Sequence, residues 1–150
     1  MQKIRQAVPQ DMSRIAEIII TNYRINFYPI FRNDSYYFHE LQVERMMQEM
    51  REDALILKRT YVLAEQDVIK GVLRMDGAEI EKLFVEPAFQ SQGVGARLLE
   101  YAVSCLGANT LWALEKNTRA IAFYERGGFH LTGQKKSEPD TTEYLVELRR

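Results

Sequence analysis

The sequence predicts a mixed α/β domain with a central, mostly antiparallel sheet and one parallel pair in its middle, in the order β-α-α-β-β-β-α-β-α-β-β. Two observations carry this. Between Thr60 and Val85 three apolar runs follow one another with only short turn signals between them, the pattern of successive antiparallel strands. Apolar residues then recur at helical spacing from Gly93 to Leu106 before a strand returns at Thr110–Glu115, and a strand-helix-strand passage joins parallel neighbours. The 150 residues contain no repeat, low-complexity tract or linker, so residues 1–150 read as one domain.

Taken in order, Lys3 to Val8 makes a short first strand, stopped by Pro9. Asp11 is placed to cap a helix in which Met12, Ile15, Ile18 and Ile19 share a face. Tyr23 to Phe38 is rich in aromatic residues and interrupted by Pro29 and Asn33-Asp34, which implies a bent helix and a loop. Helical spacing resumes from Leu41 to Leu57 through Val43, Met46, Met47 and Met50. "TYVLAEQ" and "VIKGVLRM" are strands joined near Gln66-Asp67, and after the Asp76-Gly77 turn "AEIEKLFV" forms the next. The helix Gly93–Leu106 carries Val94, Leu98, Ala102 and Cys105 along one stripe, so Cys105 is expected to be buried and structural. After the strand "TLWALE", Asn117 caps a helix over Thr118–Arg126 that Gly127-Gly128 ends. The strands "FHLTGQ" and "TEYLVELR" close the chain around Pro139 and offer a sheet edge at which two copies can pair as a homodimer.

Composition narrows the function. The net charge of −1 gives no general attraction to nucleic acid or anionic lipid, so neither is expected as a partner. No apolar run is long enough to span a bilayer, and the first residues lack a signal core, which predicts a cytoplasmic protein. One cysteine and two histidines, His39 and His130, supply no metal site, and no metal is expected.

The stretch "VEPAFQSQGVGARLL" concentrates the chemistry. Gly93 and Gly95 sit where a helix begins, at a set of unpaired N–H groups and the positive end of the helix dipole. Glycine removes the Cβ that would hold a diphosphate away from the backbone, although a plain strand-to-helix turn uses the same residues. A Walker A loop is excluded, because Ala96-Arg97-Leu98 follows Gly95 in place of Lys-Ser/Thr. A dinucleotide fingerprint is excluded because Leu98 occupies the place of its third small residue.

With Gln90-Ser91-Gln92-Gly93-Val94-Gly95 following a "V-x-P" strand end, this stretch resembles the acetyl-coenzyme A loop of the GNAT N-acetyltransferase superfamily. "NTRAIAFYERGGF" resembles that superfamily's following motif, and the element order matches its fold over nearly the whole chain. Gln90, Ser91 and Gln92 depart from the common Arg-x-x and Gly-Lys choices, which leaves more of the phosphate binding to main-chain N–H groups.

The resemblance implies that acetyl-coenzyme A binds between diverging strands and leaves as coenzyme A. Its pantetheine would pair with the backbone of Leu83, Phe84 and Val85, with an N–H near Phe84 or Val85 polarising the thioester carbonyl. Its pyrophosphate would rest on Gln90, Ser91, Gln92, Gly93, Val94, Gly95 and Ala96. Asn117 and Tyr124 are seven residues apart, hence within about 20° around their helix, and the family's matching tyrosine donates to the thiolate. Glu79 and Glu81 alternate onto one strand face, where Glu81 is preferred as the base that deprotonates the amine; the plain alternative pairs Glu81 with Lys82. Phe27, Tyr28 and Phe31 are candidates to line the acceptor cleft. The expected reaction is acetylation of a small-molecule amine in a ternary complex. The alternatives are acetylation of a protein N-terminus or lysine, and a non-catalytic acyl-coenzyme A sensor, which would lack the tyrosine.

Overall fold

The computed structural model describes residues 1–150. Strands β1 (Gln2–Gln6), β2 (Thr60–Glu65), β3 (Val68–Asp76) and β4 (Glu79–Val85) form an antiparallel run. Its tight turns rely on left-handed residues, with Gln66 and Asp67 at φ 50° and 66° and Gly77 at φ 59°. β5 (Thr110–Leu114) joins β4 in the single parallel pair, and β7 (Tyr144–Arg149) and β6 (His130–Ser137) follow antiparallel. The seven-stranded sheet therefore has the order β1-β2-β3-β4-β5-β7-β6.

Helices cover both faces. α5 (Val94–Leu106) and α6 (Thr118–Arg126) bury Leu98, Leu99, Ala102 and Tyr124 against Leu73, Ile80, Leu111 and Leu148. α1 (Met12–Asn26) and α3 (Val43–Glu52) bury Ile15, Ile18, Ile19 and Met50 against Val62 and Val72 on the other side. Val72 and Leu73 are neighbours in sequence and belong to opposite cores, as strand alternation requires. At Gly71 a Cβ would lie 2.7 Å from Leu98 Cδ1, so the missing side chain lets α5 settle on β3.

Several elements differ from the expectation. The helix over 41–57 is broken at extended Asp53, whose carboxylate accepts from the Leu55 N–H and starts α4 (Ala54–Lys58). The aromatic segment forms a one-turn α2 (Tyr28–Phe31) and a π-helical turn at Tyr36–Glu40. Asp11 does not cap α1. Its carboxylate accepts from Val8 N–H at 2.9 Å and holds Arg5 at 2.7 Å across a 3-10 turn. Cys105 is exposed, because α5 buries Val94, Leu98, Leu99 and Ala102 and its last turn carries the thiol off that face. β6 is the outer strand and exposed along its length, and no helix is long and apolar enough to cross a membrane.

The feature that positions the site is the seam between β4 and β5. These strands pair only at Glu79↔Thr110 and Ile80↔Leu111. Beyond Ile80 they part, each still held by its other neighbour: β4 by β3 as far as Val85↔Gly71, and β5 by β7 as far as Leu114↔Leu145.

Candidate active site

The parting opens a cleft of about 1310 Å3 that runs from the start of α5 to the α1–α2 and β6–β7 connections. Along its β4 wall the register decides which backbone groups face it. Glu86 N–H donates to Lys70 O at 2.9 Å, so the alternation of the ladder turns Phe84 toward β3 and Leu83 and Val85 toward the gap. The expected main-chain contact from Phe84 is thereby corrected: its backbone belongs to the β3 ladder, and only its ring reaches the cleft. Val85 O accepts from Asn22 Nδ2 at 3.0 Å and from Gln90 Nε2 at 3.2 Å. The Val85 carbonyl is thus satisfied by side chains, and its N–H is left for the gap.

At the mouth of the cleft the glycine turn is an array of donors. Ser91, Gln92, Gly93, Val94, Gly95 and Ala96 have N–H groups with no acceptor in the protein; the first loop-to-helix bond is Arg97 N–H to Gly93 O at 3.0 Å. Ser91 at φ 62° and Gly93 at φ 85° are left-handed, a conformation that turns successive N–H groups into one concavity. Gln90 is excluded from this array, since its N–H is bonded to Pro87 O and its amide braces Val85. The side chain of Gln92 lies outside the cleft, and that of Val94 is buried, so both offer only main chain. A Cβ on Gly95 would stand 3.3 Å from the Phe123 ring, so the wall is close on that side.

Tyr124 lies on the opposite wall, 9% exposed, its ring edge-on to Phe123 and Phe129. Its hydroxyl has no protein hydrogen-bond partner, and burial pushes its pKa well above the ordinary phenol value, so it holds its proton. Asn117 also lines the cleft, with its Oδ1 spent on the Ala120 N–H as the cap of α6.

The carboxylates separate. Glu81 lines the cleft and is ion-paired with Arg59 at 2.8 Å, not with Lys82. Glu79 does not reach the cleft; it lies in the still-paired start of β4, where burial raises its carboxyl pKa. A β-bulge opposite Arg74/Met75 separates the two glutamates and disturbs the simple alternation. Phe27 and Phe31 line the acceptor end, whereas Tyr28 turns away to donate to Asp34 at 2.6 Å.

Sequence reasoning missed Asn22, Tyr23, Lys82 and Glu138. Lys82 Nζ donates to Tyr23 Oη at 2.6 Å inside the cleft, and Glu138 lines the cleft from the β6–β7 loop. Asn22 sits at the polar end of an isoleucine-rich helix, the one local signal that the expected helix–strand contact carries a hydrogen bond.

A sheet parted along its parallel seam, with a donor-lined helix start at the open end, is the architecture of an acyl-coenzyme A N-acyltransferase fold. A family model described as an acetyltransferase (GNAT) domain matches residues 57–131, half of the chain, and the protein belongs to that family. It is 32% identical over 74 residues to the peptidyl-lysine N-acetyltransferase YjaB of Salmonella typhimurium, covering 49% of this chain and 51% of that protein. The chain thus spans about half the length of that curated relative. Apo YjaB from Escherichia coli superposes with a TM-score of 0.73 at 21% identity, over 99% of this chain and 97% of that one. The PaiA N-acetyltransferase of Thermoplasma acidophilum, solved with coenzyme A, gives 0.70 at 16% identity, over 100% and 99%.

Proposed function

We propose that the protein transfers an acetyl group from acetyl-coenzyme A to the primary amine of a small molecule, by direct attack in a ternary complex. The observation that carries this reading is the run of unsatisfied N–H groups from Ser91 to Ala96 at the open end of the β4–β5 gap. Such a run, at the positive end of α5, suits a diphosphate. The fit is supported by Gly93, whose missing side chain leaves the concavity open, and by a neighbour of the same fold solved with coenzyme A.

When bound, acetyl-coenzyme A supplies the thioester carbonyl that the amine attacks. The chain's own groups then have separate tasks. Val85 N–H, directed into the gap, stabilises the negative charge that develops on the carbonyl oxygen. The Tyr124 hydroxyl hydrogen-bonds the departing thiolate. Its raised pKa suits a donor that keeps its proton, since an ordinary thiol has a pKa of about 8.5 and lies below it. Glu81, a cleft carboxylate on the strand that leads to the gap, takes the amine proton directly or through water. Glu79 is left out of the reaction by its position.

Acetylation of a protein lysine is the second reading, favoured by the similarity to the Salmonella peptidyl-lysine N-acetyltransferase. Against it, the α2 and β6–β7 segments that bring Phe31, Glu138 and Thr142 to the cleft make a bounded acceptor end. A thiol-release assay with acetyl-coenzyme A across amino acids, polyamines, aminoglycosides and peptides tests the proposal. Turnover of a small amine is expected. Calorimetry showing no association with coenzyme A at millimolar ligand would refute it.

A further inference from the structure

Lys82 is half-buried at the cleft, lies within 4 Å of no carboxylate, and makes one hydrogen bond, to Tyr23 Oη at 2.6 Å. A lysine ammonium has donors only, so the Tyr23 oxygen must be the acceptor. The Tyr23 hydroxyl proton is then left over, and it has no acceptor in the protein. This pair therefore presents the remaining ammonium N–H groups and an O–H to the cleft with no protein acceptor for them. Arg59 and the buried Arg74 flank the carboxylate of Glu81, which Arg59 already holds, and Glu49 is a second carboxylate acting on Arg74.

The far rim is opposite in sign. Glu138 and Asp140, on the loop between β6 and β7, both line the cleft and form no ion pair. Between the two rims lie Phe27, Phe31 and Tyr36. An α-amino acid carries its ammonium and carboxylate on one carbon, so its carboxylate can meet Lys82 and Tyr23 while its amine stays beside the neighbouring Glu81 and its side chain lies among Phe27, Phe31 and Tyr36.

We infer that the acetyl acceptor is a free amino acid with an apolar or aromatic side chain, its carboxylate bound by Lys82 and Tyr23. This rests on the acetyltransferase reading above, and the test separates the two. Turnover is compared between phenylalanine and phenethylamine, and between leucine and 3-methylbutylamine, at equal concentrations of neutral amine. Binding of 3-phenylpropionate, which has a carboxylate and no amine, is measured by calorimetry on the protein with coenzyme A. The amino acids are expected to exceed their decarboxylated partners in kcat/KM by roughly 10- to 100-fold, the range of a charged hydrogen bond. Lys82→Met removes that advantage by raising KM for the amino acid, so that phenylalanine falls to the level of phenethylamine in the same variant; Lys82→Arg restores part of it, and Tyr23→Phe lowers it without disturbing ring packing. 3-Phenylpropionate binds the natural protein and not Lys82→Met. If 3-phenylpropionate binds as expected but no amine is acetylated, the carboxylate site stands and the acetyltransferase reading fails. If phenethylamine matches phenylalanine, or the carboxylate fails to bind or binds Lys82→Met equally well, the inference is overturned.

Discussion

Replacing Tyr124 by phenylalanine separates the hydroxyl from the ring that carries it. The ring is packed against Phe123 at 5.1 Å and Phe129 at 6.1 Å between centroids, and phenylalanine keeps both contacts. The hydroxyl makes no hydrogen bond within the protein, so its removal costs no internal bond, and stability should change by less than about 1 kcal/mol. Under the proposed mechanism the loss is a hydrogen bond to an anionic leaving group, worth about 1.5–3 kcal/mol, which predicts a fall in kcat of roughly 10- to 150-fold. Burial raises the Tyr124 pKa, so the folded protein keeps the phenol neutral where an exposed one ionises. Its contribution to stability is full below about pH 10 and is lost as pH rises further, so any alkaline limb of kcat below pH 10 belongs to another group. The assay is steady-state thiol release against acetyl-coenzyme A, with calorimetric titration of coenzyme A and a thermal melt on the same samples. A variant with unchanged affinity, an unchanged melt and kcat within about threefold of the parent would refute the role given to the hydroxyl.

Gly95→Ala places a methyl 3.3 Å from the Phe123 ring, and overpacking of about 1–3 kcal/mol should appear in chemical denaturation together with weaker coenzyme A binding. Gly93→Ala meets no neighbour but must hold φ at 85°, so about 1 kcal/mol of stability is lost by strain alone. Burial would raise the Asp11 carboxyl pKa, but the Arg5 and Val8 hydrogen bonds and the Arg5 charge outweigh it and hold the pKa below the usual range. Its stabilisation is therefore present above about pH 4 and lost as pH falls. Asp11→Asn should cost about 1–2 kcal/mol at pH 7 and flatten the acid limb of stability against pH. Cys105 should react with a maleimide in the native protein at the rate of a free thiol, with turnover retained; protection until unfolding would contradict its exposure.

Much of the fold is written in local signals. α6 begins after Asn117 and ends before Gly127 because the cap and the glycine act within one turn, and both are visible in the chain. The glycine turn is legible for the same reason: Gly93 and Gly95 report a backbone requirement directly. Signals that depend on phase fared worse. The stripe that includes Cys105 is correct until Ala102, but in the last turn Val103 and Leu106 pack against the core and Cys105 faces solvent. The bulge opposite Arg74/Met75 upsets the count along β4, so spacing alone did not reveal that Glu81 reaches the cleft while Glu79 does not. Lys82 next to Glu81 looks like a balanced pair, yet each finds its partner on a distant element, Tyr23 and Arg59. Tyr28 belongs to an aromatic run and is turned outward by a contact with Asp34 six residues on. Such partners are set by tertiary packing, which no local spacing encodes.

Two residue pairs are all that join the left half of the sheet, β1 to β4, to its right half, β5 to β7. Mechanically the molecule is two leaves on a short spine, sharing one apolar cluster to which α5 and α6 also contribute. Whatever fills the crease between the leaves acts as a rivet as well as a reactant. Amides on the inner margins of β4 and β5 should accordingly be the first to slow in hydrogen exchange when it does.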